Sequence, residues 1–162
     1  MELILKHLIS DRSNRRSRVL IVDDQPASIK LLNGFFAEEY EVFMATSGKQ
    51  ALEICEKSLP DIILLDVVMP DMDGLQLCML LRKNTKTKDI PVIFITSLQS
   101  TDDETACWEA GGVDFVNKPI NPTTLRNRIK SHLTLKFQSE YLKKLALSDA
   151  LTMIANRRCF DE

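Results

Sequence analysis

The chain has 162 residues, a formal net charge of -2, 44% apolar and 27% charged side chains, enough for one ordinary domain with a short appendage but not for two full catalytic domains. These proportions are near the globular average and exclude a disordered chain, a collagen-like repeat and a disulfide scaffold; the slightly acidic balance speaks against a nucleic-acid binder. No apolar run nears the roughly 18 residues that cross a bilayer, and the opening MELILKHLIS lacks the small-residue cleavage site of a signal peptide.

A cytoplasmic protein without a membrane segment is expected. Cys55, Cys78, Cys107 and Cys159 form no C-x-x-C pair, which argues against zinc; four buried thiols in a reducing compartment are expected.

Residues 1–17 form an N-terminal extension whose second half, DRSNRRSR, is polar and Arg-rich and reads as a solvated tether. Regular patterning begins at Arg18. Short apolar runs at 19–22, 42–45, 62–65, 92–95 and 113–116 alternate with helix-period segments. Several runs are apolar at every position, as strands of a parallel sheet covered on both faces are.

The first helix opens at Pro26 and places Ile29, Leu32 and Phe36 on one face. Ala51, Leu52 and Cys55 mark the second, and Leu77, Cys78 and Leu81 the third. The fourth covers Thr101 to Ala110 and stops at Gly111, a C-terminal glycine. Asn121 followed by Pro122 opens the fifth, and Leu125, Ile129 and Leu133 continue its apolar face. Trp108, on the fourth helix, is expected to be a packing residue.

Five strands and five helices in strict alternation predict a doubly wound α/β fold, a five-stranded parallel sheet with helices on both faces. Residues 136–148 contain neither Gly nor Pro and can prolong the fifth helix as a linker, either a solvated helix with an apolar stripe or a short coiled-coil segment.

Ligands of such sheets sit at the carboxyl ends of the strands. There the sequence places Asp23 and Asp24 after the first run, Asp66 after the third, Thr96 after the fourth, and Lys118 beyond the fifth. Three carboxylates drawn together raise one another's pKa unless a cation intervenes. Their oxygens suit Mg2+, and Lys118 adds a second positive charge. A carboxylate nucleophile, a hard metal, a lysine and a hydroxyl together suit phosphoryl transfer.

The segments VLIVDD, IILLDVVMPDMDG, PVIFITS, AGGVDFVNKP and NPTTLRNRI closely resemble, in order and spacing, the receiver domain of two-component response regulators, over residues 18–135. The resemblance implies the flavodoxin-like strand order 2-1-3-4-5. It implies that Asp66 accepts a phosphoryl group from a histidine kinase or phosphotransfer protein, that Asp23, Asp24, Asp66 and the Val68 backbone carbonyl hold Mg2+, and that Lys118 pairs with a phosphoryl oxygen. Thr96 and Phe115 are implied as the switch pair, whose response reaches the face of the fourth helix, fifth strand and fifth helix. That face, with the linker helix, is the implied route to a homodimer. Apolar Val68 and Leu98 flank the acceptor and the hydroxyl, so slow self-dephosphorylation is expected.

The segment from Ser148 to Glu162, SDALTMIANRRCFDE, resembles the opening of the GGDEF domain of diguanylate cyclases, which would occupy 149–162, through Asp149, Leu151, Thr152, Asn156, Arg157, Arg158 and Phe160, with Met153 where Gly is usual. The GG[DE]EF loop itself is absent, so this polypeptide is not expected to be an enzyme; a longer parent would be the cyclase. A stand-alone receiver, serving as a phosphate sink or interaction module, is the alternative.

Overall fold

A computed structural model describes residues 15–160; most of the N-terminal extension and residues 161–162 lie outside the described residues. Strands β1 (Arg18–Val22), β2 (Glu41–Ala45), β3 (Ile62–Asp66), β4 (Val92–Thr96) and β5 (Asp114–Asn117) alternate with helices α1 (Pro26–Phe36), α2 (Gly48–Ser58), α3 (Gly74–Lys83), α4 (Thr101–Glu109) and α5 (Pro122–Phe160). All pairings are parallel, in the order β2-β1-β3-β4-β5.

Burial explains the apolar runs. The inner strands β3 and β4 are buried at every position, whereas edge strand β2 exposes Glu41 and Met44. Side chains of a strand point alternately to opposite faces, so the sheet feeds two cores. Leu20, Val22, Ile63, Leu65 and Phe94 join Ala51, Cys55, Leu77, Cys78, Leu81 and Cys107 on one face. Val19, Ile21, Ile62, Leu64, Ile93 and Ile95 meet Ile29, Leu32, Phe36, Leu125, Ile129 and Leu133 on the other. The helical faces expected from spacing are thus the ones buried, apart from the partly buried Leu52.

Local signals set the helix ends. Asp73 and Ser100 each close a capping box, with Gln76 and Asp103, which satisfies amides at the start of α3 and α4. Asn121 Oδ1 accepts from the Thr124 amide at 3.1 Å at the start of α5. Helix α4 ends one residue earlier than its pattern suggests, with Ala110 as its cap and Gly111 at φ 100°. Strand β5 is shifted one residue along the chain, because Val113 is exposed and Asn117 pairs with Thr96.

One expectation is corrected, that of Cys159, and the packing role of Trp108 holds on one side only. Cys159 is exposed, while Cys55, Cys78 and Cys107 are buried; the fifth helix has left the domain body by that point and has no core to enter. Trp108 is 46% exposed and packs edge-on against Phe115, with ring centroids 5.8 Å apart. Its helix is short and buries only Cys107.

Helix α5 is one continuous helix of 39 residues, about 58 Å long at the α-helical rise. Its first turns pack on the sheet. The linker and the tail that follows residue 148 continue it without a break. Among the described residues no helix is long and apolar enough to cross a membrane.

The start of β5 is tied to α5 through Asp114. Its Oδ1 accepts from Arg128 at 2.6 Å, and its Oδ2 lies 3.0 Å from His132 Nε2. Burial pushes the Asp114 carboxyl up, but the hydrogen bonds from Arg128, His132 and the Phe115 amide outweigh it and leave the pKa below the ordinary carboxylate value. A depressed folded-state pKa stabilises the fold above the unfolded value and loses that contribution as pH falls through the folded one. Asp114→Ala is therefore expected to lower stability by about 1–3 kcal/mol at neutral pH. The gap from the parent chain should narrow below about pH 4 in urea melts taken across pH; a constant gap would remove Asp114 as its source.

Candidate functional site

The carboxyl ends of β1, β3, β4 and β5 meet at one edge of the sheet, and the sequence-predicted polar residues converge there. One carboxylate oxygen from each of Asp23, Asp24 and Asp66 lies within 4.8 Å of the others. Asp23 and Asp66 are buried and Asp24 is half-buried. Lys118 Nζ stands 3.3 Å from Asp66 Oδ2 and 3.5 Å from Asp23 Oδ2. It follows a β5 residue paired with Thr96, and the Lys118 amide donates to the Thr96 carbonyl at 2.9 Å. The Lys118-Pro119 peptide is cis.

Backbone amides fix the individual carboxylates. Asp23 Oδ1 accepts from the Gln25 amide at 2.9 Å, and Asp66 Oδ1 from the Val68 amide at 3.3 Å. The loop after Asp66 is pinned from its far end, where the Gly74 amide donates to the Val67 carbonyl at 2.9 Å. A Cβ on Gly74 would come within 3.0 Å of backbone atoms of Asp66 and Val67. The sequence motif therefore ends in glycine because α3 starts against the backbone of the loop that follows Asp66.

Burial pushes the Asp66 carboxyl above its ordinary value; Lys118 pulls against this, and the Asp23 charge adds to it. At Asp66 the repulsion expected from sequence acts in the expected direction, through Asp23, with burial the larger cause. A buried carboxylate facing two others and one lysine carries more negative than positive charge. An all-oxygen donor set of this kind fits a hard divalent cation such as Mg2+.

Thr96 is buried, and its Oγ1 accepts from the Leu98 amide at 3.0 Å. Phe115 is half-buried. A cavity of about 120 Å³ lies between these two, lined also by Cys107 and Asn117. The hydroxyl and the ring therefore border one space. Trp108, on α4, reaches the edge of this space through its contact with Phe115. A lone tryptophan on a weakly patterned helix carries no sequence signal for its contact with Phe115 of β5. The apolar Val68 side chain, two residues beyond Asp66, is 59% exposed.

The model of the response regulator receiver domain family matches residues 19–130. The Response regulator PleD of Caulobacter vibrioides is 41% identical over 129 residues, covering 79% of this chain and 28% of that protein. The Cyclic di-GMP phosphodiesterase response regulator RpfG of Xanthomonas campestris pv. campestris is 36% identical over 156 residues, covering 94% of this chain and 41% of its own. This chain thus spans well under half the length of these curated relatives. Among solved structures, a putative response regulator from Chloroflexus aurantiacus J-10-fl superposes with a TM-score of 0.71 at 35% identity, over 74% of this chain and 99% of that one.

Proposed function

This chain belongs to the response regulator receiver domain family, and on that footing we propose that Asp66 is its phosphoacceptor and that phosphorylation there governs an output carried by α5. The observation that supports this most is the convergence of three carboxylates, one lysine and one buried hydroxyl at a single sheet edge. An Asp66 oxygen attacks the phosphorus of a phosphohistidine on a histidine kinase or phosphotransfer protein. The phosphorus–nitrogen bond breaks, its electron pair stays on the imidazole, and an acyl phosphate forms.

Asp23, Asp24, Asp66 and the Val68 carbonyl would hold Mg2+, which supplies charge neutralisation to the phosphoryl oxygens. Lys118, already beside Asp66, pairs with one of those oxygens. Thr96 turns its hydroxyl from the Leu98 amide towards another, and Phe115 takes up the space vacated beside it. The site is thereby a local charge event coupled to a two-state element. The side chains of Val68 and Leu98 offer no polar atom to orient an attacking water, so the phosphorylated state persists.

The output we propose is cyclic di-GMP synthesis by a GGDEF domain of a longer parent, in the cytoplasm. The identities at Asp149, Leu151, Thr152, Asn156, Arg157, Arg158 and Phe160 support it. RpfG bears the name of a cyclic di-GMP phosphodiesterase, so receivers similar to this one stand beside enzymes of the same messenger. That name also keeps a phosphodiesterase output as the second reading. In the parent, dimerisation through the α4–β5–α5 face and the linker would bring two cyclase domains together, an effective-concentration effect.

Beryllofluoride with Mg2+ is expected to change Trp108 emission, because Trp108 rests on Phe115, and to shift the mass in solution from monomer to dimer. Chelation of Mg2+ should abolish both. A chain that stays monomeric while its fluorescence responds would keep the switch but remove the dimer route, leaving the phosphate-sink or interaction-module reading.

A further inference from the structure

Asp61 lies five residues before Asp66, about 16 Å along an extended chain, at the opposite edge of the sheet. It is 4% exposed, and a buried carboxylate is stable only when its oxygens are paired. Three groups from two segments do this. Oδ2 accepts from the Arg18 amide at 2.7 Å. The Arg15 guanidinium reaches both oxygens at 3.4 Å. Lys136 Nζ, from α5, stands 3.3 Å from Oδ1.

The place of Lys136 on the helix gives this cluster its meaning. Leu133 is still buried in the core, and Phe137 packs on the core's margin with Lys136 over its ring at 5.7 Å. Beyond them Leu142, Leu147, Leu151 and Ile154 are all exposed. The ion pair of Lys143 with Asp89 is 3.5 Å long, with both side chains about two-thirds exposed; pairs of that kind contribute little. Tyr141 and Leu145 are still half-buried, so α5 leaves the body gradually, and Lys136, with a side chain only 13% exposed, is the last well-buried charged side chain along it among the described residues. The remaining helix to residue 160 is about 36 Å long, so a tilt of about 10° at this point moves its end by about 6 Å.

We propose that Asp61 is the positioning residue of the output helix: an ionic latch that binds Lys136, together with the segment entering β1, and so sets the direction in which α5 departs. The latch does not touch the Asp66 site, and its role is the same whichever domain follows.

The test is a distance measurement on the 162-residue chain, spin-labelled at exposed Cys159 and at a cysteine introduced by Glu53→Cys on the exposed face of α2. The chain with the latch intact should give one narrow distance distribution. Lys136→Met keeps the apolar stem over Phe137 but removes the charge; it should broaden and shift the distribution. Asp61→Asn should do the same, and the double variant should be no broader than either single one. Trp108 emission, which reports the body of the domain, should not move in any of them. An unchanged distribution in Lys136→Met would overturn the proposal. So would broadening accompanied by a change in Trp108 emission, since that is general loosening of the fold. If Asp61→Asn fails to fold, Lys136→Met alone decides.

Discussion

Asp66→Asn is expected to take up no phosphoryl group from acetyl phosphate and Mg2+, while keeping its fold. The amide has nearly the same shape as the carboxylate. Its oxygen still accepts from the Val68 amide or faces Lys118, the two contacts the carboxylate makes at 3.3 Å. What disappears is the charged oxygen that, on the proposed role, would attack phosphorus. Lys118 also retains Asp23 at 3.5 Å as a partner, so no buried cation is stranded. The burial and repulsion that push the Asp66 carboxyl up in the parent chain are removed as well. Thermal stability near neutral pH should therefore hold or rise. Acid-stable and acid-labile label, read on the parent chain and the variant together with a melting curve, check this. Undiminished labelling of a folded Asp66→Asn would move the acceptor to another residue.

Gly74→Ala should be damaging both to the fold and to the site. The added methyl would meet the backbone of Asp66 and Val67 rather than the end of a side chain, so no rotamer change relieves it. Overpacking of this kind costs about 1–3 kcal/mol, occasionally more. The loop can yield only by moving Asp66, and a displacement of about 1 Å at a reacting group costs on the order of 10²-fold in rate. Gly34 is the internal control. It lies in α1, and a Cβ there meets nothing within 4 Å, so Gly34→Ala should stabilise by about 0.5–1 kcal/mol. Denaturant midpoints and labelling rates of the two variants should thus move in opposite directions, or in rate not at all for Gly34→Ala. A Gly74→Ala chain with parental stability and rate would mean that the acceptor loop is not held by α3.

The layered fold was legible because its two signals are strong and local. Ile62–Leu65 and Val92–Ile95 are buried throughout and read as unbroken apolar runs, and Ile29, Leu32 and Phe36 repeat at helical spacing. The site was legible for a topological reason: in a parallel sheet every strand delivers its last residue to the same edge, so Asp23, Asp66, Thr96 and Lys118 had to converge. Exposure was harder to read. Cys159 looks like a core thiol until the length of α5 is known, and Trp108, which packs on Phe115, gives no sign in the sequence of being 46% exposed. The contacts of Asp61 with Lys136 and of Asp114 with His132 span 75 and 18 positions. Neither leaves a motif, because a charged pair between distant segments is fixed only by how the helix lies on the sheet.

The most direct test of the account is to find where the phosphoryl group resides. The chain would be treated with acetyl phosphate and Mg2+, reduced with borohydride to trap any acyl phosphate as the alcohol, digested and sequenced by mass spectrometry. The account predicts one modified residue, Asp66, with modification dependent on Mg2+ and absent when the metal is chelated. Modification at another carboxylate, or none in a folded chain with Mg2+ present, would contradict it.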